Sequence, residues 1–352
     1  MTQLTDYLQR AVTDQASDLF IVAGGPVCAK EENRLVPISK DRVFPEETEE
    51  LVRAVYAMAA RPMDRFLEQG DDDFSFSVPG MARFRVNVYR QRGSMAAVIR
   101  VVAFDIPSWK DLLIPEGVMA LSQVQHGMVL VTGTAGSGKS TTQACIIDRI
   151  NQTRECHIIT LEDPIEYLHR DQKSIVSQRE MAIDTADYPS ALRACLRQAP
   201  DVILLGEMRD QETIHTAMTA AETGHLLIAT LHTKGAVNTI DRIVDTFPSG
   251  QQDQVRVQLS MVLHTVVSQQ LVPNTRGGLV PAFEIMHVNN AIRSLIRDSK
   301  THQIDNAIAA GGGEGMITMD QSLLALYKGG EVTAETALAY ADNPDQLKRR
   351  MG

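Results

Sequence analysis

The first third of the chain is organised by two kinds of hydrophobic pattern. Apolar residues recur at helical spacing in residues 1–12 and 45–59, and the second of these segments begins with Pro-Glu-Glu. Residues 71–103 instead alternate apolar and polar positions, with an interruption at Gly93-Ser94 that indicates a hairpin. Alternation of this kind predicts antiparallel strands with one buried face. The sequence therefore predicts a small α+β domain over residues 1–103.

The pattern changes after residues 104–115, which contain two prolines and the only tryptophan and are predicted to be a hinge linker. Short runs that are apolar at every position then alternate with helical segments. Strands of this kind are buried on both faces, which is typical of a parallel sheet covered by helices. We therefore predict an α/β core over residues 116–290. A helical region follows at 291–352, with a flexible glycine-rich loop at 309–316.

Composition narrows the classes of function. The chain has 352 residues, of which 44% are hydrophobic and 22% are charged, as is typical of a globular protein. Its net charge of −10 argues against a large basic surface, so no nucleic-acid partner is expected. The four cysteines form no CxxC pair, which favours reduced thiols and a cytoplasmic location. No segment approaches the roughly 20 apolar residues that cross a bilayer, so membrane contact is expected to be peripheral.

The stretch GTAGSGKSTT, which begins at Gly133, lies between an apolar run and a predicted helix. It has the form Gly-x4-Gly-Lys-Ser, in which backbone N–H groups and a helix N-terminus surround nucleotide phosphates. Lys139 is predicted to bridge the β- and γ-phosphates, Ser140 to bind Mg²⁺, and Thr141 to reach the α-phosphate. The residues of this loop that we expect to contact ATP or ADP are Gly133, Thr134, Ala135, Gly136, Ser137, Gly138, Lys139, Ser140 and Thr141.

Two further apolar runs end in carboxylates. Glu162 and Asp163 follow one of them, and Glu207 follows the other. The carboxyl ends of parallel strands face the ligand, so these groups are candidates for activating water and for holding the water shell of Mg²⁺. We favour Glu162 as the catalytic base and Glu207 as the metal-water ligand. The sequence leaves two alternatives open. In the first, the two residues exchange roles, and in the second, the acid at the strand end is only solvated and takes no part in catalysis.

Histidines and arginines complete the set of candidate residues. His225 and His232 bracket another apolar run, and we predict that His232 hydrogen-bonds the γ-phosphate and that His225 contributes to nucleotide binding. A purely structural role is the alternative for each histidine. The first domain carries several arginines, among them Arg85 and Arg100. They either form a solvated sheet face or reach a nucleotide that a neighbouring subunit holds.

Together these segments resemble the secretion-ATPase superfamily, and more closely its twitching-motility ATPases, which retract type IV pili. The resemblance covers nearly the whole chain, through GTAGSGKSTT, TLEDPIEY, LRACLRQAPDVILLGEMRD and AAETGHLLIATLHT. It implies a PAS-like N-terminal domain joined to a RecA-like P-loop ATPase domain. The family's Walker A, Asp box, Walker B and His box correspond to residues 133–140, 159–167, 201–207 and 225–233.

The resemblance also implies a biological setting. Members of this family form hexameric rings that hydrolyse ATP with Mg²⁺ at the inner face of the cytoplasmic membrane. They act there on a pilus platform protein, and a paralogous pilus ATPase is a further expected partner. Arg85 and Arg100 would then act on the nucleotide of the adjacent subunit. The segment AIRSLIRD, 291–298, resembles the motif associated with retraction in this family.

Two alternatives within the superfamily stay open. An accessory retraction ATPase shares nearly all of these motifs. Pilus-extension and type II secretion ATPases resemble the core but usually carry an additional N-terminal domain, so the length of this chain favours retraction. One departure from the family is Phe20, where the family's SDLHL stretch usually has histidine.

Overall fold

The computed structural model describes residues 2–31, 34–102 and 106–351, which divide into two compact units, and the second unit begins at Ile106. The strands of the first unit are β1 (Asp18–Ile21), β2 (Cys28–Glu31), β3 (Arg34–Pro37), β4 (Asp71–Val78), β5 (Ala82–Gln91) and β6 (Ser94–Val102). Its helices are α1 (Thr2–Thr13), α2 (Pro45–Met58) and α3 (Asp64–Gln69). The six strands form one antiparallel sheet in the order β3-β2-β1-β6-β5-β4.

The core of the first unit follows from the alternation in its strands. Phe84, Val86 and Val88 on β5 are fully buried and pack with Leu8 of α1 and Val52 of α2. The intervening residues of β5 face away from this core, because successive side chains of a strand point to opposite faces. The predicted α+β character of this unit is therefore confirmed.

The turn of the predicted hairpin lies one residue earlier in the structure than in the prediction. Arg92 and Gly93 are the two turn residues between β5 and β6, with φ values of 47° and 82°, and Ser94 already belongs to β6. A two-residue hairpin turn with both φ values positive matches the twist of the flanking strands. Glycine meets this requirement without strain, and arginine occupies the other position.

The second unit contains a seven-stranded sheet in the order β13-β12-β7-β11-β10-β8-β9. Its strands are β7 (Gly127–Thr132), β8 (His157–Glu162), β9 (Ile175–Glu180), β10 (Val202–Leu205), β11 (Leu226–Leu231), β12 (Leu263–Pro273) and β13 (Leu279–His287). Its helices are α4 (Glu116–Met119), α5 (Lys139–Thr153), α6 (Tyr188–Cys195), α7 (Gln211–Glu222), α8 (Ala236–Asp245), α9 (Ser249–Val262), α10 (Asn290–Arg297), α11 (Ile304–Ala310), α12 (Met319–Lys328), α13 (Ala334–Tyr340) and α14 (Pro344–Met351).

The central strands of this sheet run parallel and are buried on both faces. Every residue of β7, β10 and β11 is buried, as expected for apolar runs covered by helices on each side. Among the described strands of this sheet, β13 alone runs antiparallel to its neighbour, β12. The register pairs Leu231 with Thr132 and Leu205 with Leu161. The segments that follow β7, β8, β10 and β11 therefore all leave the sheet at the carboxyl ends of the strands, which we call the carboxyl edge of the sheet.

Two predictions for the second unit need correction. The described part of the predicted linker, residues 106–115, is a packed segment of this unit: Ile106, Trp109 and Leu112 lie against its core, and Ile114 is buried. Residues 104 and 105 lie outside the described residues. The glycine-rich stretch predicted as a flexible loop instead ends α11 and forms a 3₁₀ turn at Gly311–Glu314.

The predicted boundary at residue 290 also does not separate two bodies. Ile292 and Ile296 of α10 and Ile304 and Ile308 of α11 belong to the main core of the second unit. Helices α12–α14 form a smaller apolar cluster with β12 and β13, which includes Val272. Among the described residues, none of the helices combines the length and the apolar character that crossing a membrane requires.

Candidate nucleotide-binding site

The glycine loop lies between β7 and α5, at the carboxyl edge of the sheet. Gly133, Gly136 and Gly138 have φ values of +144°, +75° and +88°, a region that residues with a Cβ rarely occupy. The ammonium group of Lys139 donates hydrogen bonds to the carbonyl oxygens of Gly133 at 3.0 Å and Thr134 at 2.9 Å. The loop therefore curves around the ammonium group of Lys139, next to the N-terminus of α5.

Gln269 of β12 packs beneath this loop. Thr142 of α5 donates a hydrogen bond to Gln269 Oε1 at 2.7 Å. A Cβ at Gly133 would lie 2.3 Å from the backbone oxygen of Gln269, and one at Gly138 would lie 2.9 Å from its Nε2. The loop therefore needs glycine at position 133 for space as well as for φ, whereas at position 138 the requirement comes mainly from φ. Sequence reasoning missed Gln269, because β12 also carries Ser268 and Gln270 and the sequence does not single out one polar residue among them.

Gln269→Leu is expected to weaken ADP binding by about tenfold, because Thr142 loses its acceptor inside the protein and the loop loses its support. Gln270→Leu is the matched control, since the neighbouring residue of a strand points to the opposite face of the sheet. Titration of each purified variant with a fluorescent ADP analogue measures the effect. Equal affinities for the two variants would contradict the supporting role of Gln269.

His232 lies between the glycine loop and the carboxylate of Glu207. Its Nδ1 lies 3.4 Å from Lys139 Nζ, and its Nε2 lies 3.4 Å from Glu207 Oε2. Because the lysine ammonium can only donate, Nδ1 accepts and the Nε2–H group donates to the carboxylate. Lys139, His232 and Glu207 thus form one continuous chain of contacts, as their placement at adjacent strand ends predicts.

Glu207 also contacts a cationic side chain. Arg209 Nη2 lies 2.6 Å from the same Oε2 atom that faces His232, and the Glu207 side chain is 16% exposed. Burial acts to raise the pKa of Glu207, but the hydrogen bond and charge of Arg209, together with the hydrogen bond from His232, outweigh it and hold that pKa below its ordinary value. The group is therefore a carboxylate at neutral pH.

Glu162, at the end of β8, lies beside Glu207. Gly206 donates its backbone N–H to Leu161 across the adjacent strands, so the two carboxylates follow neighbouring strand ends. Burial and then the charges of Asp163, Glu162 and Glu207 raise the pKa of Tyr188. A Cβ at Gly206 would lie 2.7 Å from the Tyr188 hydroxyl. Sequence reasoning missed Tyr188, a residue of α6 whose hydroxyl lies near these carboxylates.

The structure does not bring His225 to the nucleotide site of its own chain. His225 precedes β11, and its Nδ1 lies 2.9 Å from the backbone oxygen of Ala220. The six residues of β11 separate it from His232, a distance of about 20 Å in an extended strand. The next residue, Leu226, pairs with Gly127, at the end of β7 opposite the glycine loop.

Arg85 and Arg100 lie directly opposite each other on β5 and β6 of the first unit. Both are exposed. Arg100 donates a hydrogen bond from Nε to Asp18 Oδ1 at 2.9 Å. The chain of contacts around Lys139 belongs to the second unit and is formed without these arginines.

The donor groups at this edge fit Mg²⁺ when it binds together with a nucleotide. Among the described residues, no group of three or more His, Cys, Asp or Glu side chains could hold a metal ion by itself. Mg²⁺ at nucleotide sites instead uses phosphates, water, and one or two protein oxygens. Ser140, in the first turn of α5, and Glu207 supply a hydroxyl and a carboxylate of this kind. The buried Ser137 hydroxyl also lacks a hydrogen-bond partner in the described part of the chain.

A glycine loop after a parallel strand, its lysine, and carboxylates on the neighbouring strands define a P-loop nucleoside triphosphatase domain of the RecA-like kind. The model of the type II/IV secretion system protein family matches residues 2–311. The chain belongs to this family, and the resemblance predicted from the sequence motifs is confirmed.

Similar proteins agree with this assignment over nearly the whole chain. The type IV pilus retraction ATPase PilT of Pseudomonas aeruginosa is 43% identical, over 98% of this chain and 99% of its own length. The type IV pilus ATPase PilU of the same organism is 40% identical, over 97% and 89%. A crystal structure of the pilus retraction motor PilT with bound ADP superposes with a TM-score of 0.90, at 46% identity and 99% coverage of both chains. The predicted two-domain α/β fold is thereby confirmed.

Proposed function

We propose that this chain is an ATP-hydrolysing motor subunit that retracts type IV pili. The observation that carries this proposal is the continuous contact of Lys139, His232 and Glu207, with Glu162 at the next strand end. That arrangement combines a phosphate-binding loop with a base and a metal ligand. The similarity to PilT over nearly its full length supplies the biological role.

The reaction follows from the positions of these groups. Lys139 and the loop N–H groups bind the phosphates of ATP. Ser140 and Glu207 would hold Mg²⁺, which would supply positive charge to offset the charge of the phosphates. Glu162 accepts a proton from the water that attacks the γ-phosphorus. The bond from that phosphorus to the β–γ bridging oxygen breaks, which releases ADP and inorganic phosphate.

His232 is the residue placed to sense this change. It contacts Lys139 on one side and Glu207 on the other. Loss of the γ-phosphate alters the partners of Lys139, and His232 transmits that change to the carboxylate. A local rearrangement of this kind is how γ-phosphate release is commonly read out in phosphate-binding sites.

The assembly that we propose is a homohexamer in which Arg85 and Arg100 reach the nucleotide of the adjacent subunit. Both side chains are exposed cations on one face of the first unit's sheet, and the Arg100 side chain is 63% exposed. The ring would act in the cytoplasm at the inner face of the cytoplasmic membrane. Its partners there are a pilus platform protein and a paralogous pilus ATPase.

Arg85→Ala and Arg100→Ala are each expected to lower kcat by about tenfold or more, with little change in ATP affinity, because a cation near the transferred phosphoryl group stabilises mainly the transition state. Arg53→Ala is the control, since Arg53 is exposed and forms its ion pair with Glu49 on its own helix. Mixing Arg85→Ala and Lys139→Ala subunits should restore part of the activity through hybrid sites. Normal turnover in both arginine variants would contradict the role across subunits.

Deletion of the gene tests the biological role. A retraction motor predicts cells that carry more pili than the parent and do not move by twitching. Cells without pili would instead indicate an extension motor. A variant that cannot bind nucleotide, expressed in the deletion strain, should leave the deletion phenotype unchanged.

An accessory retraction ATPase is the second candidate, because PilU is similar over 97% of this chain. The two candidates differ in the purified protein. A principal motor hydrolyses ATP on its own, whereas an accessory subunit shows little turnover until a second pilus ATPase is added.

A further inference from the structure

Two side chains hold the carboxylate of Glu162. Thr160, two residues earlier on β8, donates a hydrogen bond from its hydroxyl to Glu162 Oε1 at 2.6 Å. Gln178 of β9 donates from Nε2 to the same oxygen at 3.2 Å. Thr160 and Gln178 are paired across the two strands, so the sheet register places both donors beside this carboxylate.

The orientation of the Gln178 amide is fixed by a second contact. Its Oε1 accepts a hydrogen bond from the backbone N–H of His169 at 2.8 Å. An amide has an acceptor end and a donor end, so a Gln178 whose oxygen faces His169 must turn its NH₂ group toward Glu162. The segment between β8 and β9 therefore sets the direction of this donor.

The hydroxyl of Thr160 has no evident use in packing. Thr160 is 1% exposed, and its neighbours Ile159 and Leu161 are fully buried. Valine has nearly the same shape as threonine and an equal preference for strands, so packing alone would accept it. The hydroxyl distinguishes threonine from valine, and it is directed at the Glu162 carboxylate.

We propose that Thr160 and Gln178 are positioning residues that orient the Glu162 carboxylate for proton transfer from the attacking water. This inference rests on the proposed function, since it requires Glu162 to act as the base. Two donors on Oε1 restrict rotation of the carboxylate about its last bond, and this fixes the direction of Oε2. A general base must lie within about 2.6–3.2 Å of the proton's donor atom, so restricted rotation raises the fraction of productive geometries.

The test compares Thr160→Val, Thr160→Ser and Gln178→Leu in the full-length purified protein. Thr160→Val and Gln178→Leu should each lower kcat by about tenfold, the loss expected for one hydrogen bond to a charged group. The KM for ATP should stay unchanged, because neither residue belongs to the phosphate-binding loop. Thr160→Ser keeps the hydroxyl and should keep most of the activity.

The pH dependence of kcat separates positioning from simple structural support. Loss of a donor makes the ionised carboxylate less favourable, so the acidic limb of the profile should move to higher pH in Thr160→Val and Gln178→Leu. In Thr160→Ser the acidic limb should lie at the same pH as in the wild type. A variant that only loosened the fold would lower kcat at every pH and leave the limb in place.

The outcomes can be told apart. If the wild type hydrolyses ATP and Glu162→Gln does not, but Thr160→Val and Gln178→Leu match the wild type in kcat and pH profile, the inference fails and the proposed function stands. Equal losses in Thr160→Val and Thr160→Ser with an unmoved acidic limb would also overturn it. A wild-type protein without ATPase activity would overturn the proposed function and this inference together.

Discussion

Glu162→Gln is expected to lower kcat by about 10²–10⁴-fold, the usual contribution of a general base. The amide keeps the size of the side chain but cannot accept the proton of the attacking water. Nucleotide affinity should change little, because the glycine loop and Lys139 bind the phosphates. Phosphate release under saturating ATP measures the first effect, and titration with a fluorescent ADP analogue measures the second.

The neighbouring carboxylates provide controls for this prediction. Asp163→Asn should retain most of the activity, since Asp163 is exposed and follows the strand end. Glu207→Gln should instead raise the Mg²⁺ concentration that half-maximal activity requires, because it replaces a metal-ligating carboxylate. If Glu207→Gln abolished turnover at all Mg²⁺ concentrations and Glu162→Gln remained active, the two roles would be reversed.

Lys139→Ala is expected to lower hydrolysis by about 10²–10³-fold, comparable to the loss of a group that stabilises transition-state charge. Unlike Glu162→Gln, it should also weaken binding of ATP and ADP. The substitution removes the cation that touches Gly133, Thr134 and His232, so the loop and the histidine both lose a partner. The two measurements used for Glu162→Gln separate these effects.

Lys110→Ala is the matched control for Lys139→Ala. Lys110 lies in the same unit, where it is exposed and packs over the Trp109 ring at 5.6 Å. Its removal should leave nucleotide binding and hydrolysis unchanged. Hydrolysis at the wild-type rate by Lys139→Ala would be incompatible with the proposed site.

Sequence motifs were sufficient to predict which residues lie at the carboxyl ends of the strands. Glu162, Glu207 and His232 lie at or within two residues of the end of an apolar run, and Lys139 ends the glycine loop that follows another. Parallel strands bring their carboxyl ends to one edge of the sheet. The prediction used only local sequence and one property of parallel sheets. The structure accordingly places these four residues at one edge.

The supporting residues could not be predicted in the same way. Gln269, Tyr188 and Gln178 belong to β12, α6 and β9, which are different elements from those that carry the glycine loop, Glu162 and Glu207. Their roles depend on strand order and side-chain direction, which no local pattern specifies. The edge strand β9 also lacks a buried apolar run, so the hydrophobic pattern did not reveal it.

Two features of the fold differ from what local composition suggests. His225 and His232 look equivalent in the sequence because they bracket one strand, but the length of the strand separates them. Residues 106–115 look like a linker because of their prolines, but Ile106 and Trp109 pack against the core. The contribution of His225 to nucleotide binding stays a prediction, and the structure places this residue at the opposite end of β11 from His232.

The most direct test of the central claim is imaging of fluorescently labelled pili in cells whose only copy of the gene encodes Glu162→Gln. If the chain is a retraction motor driven by ATP hydrolysis, pili extend in these cells but do not retract, and the cells accumulate pili. Pili that still retract at the wild-type rate, or cells that cannot extend pili at all, would contradict the account.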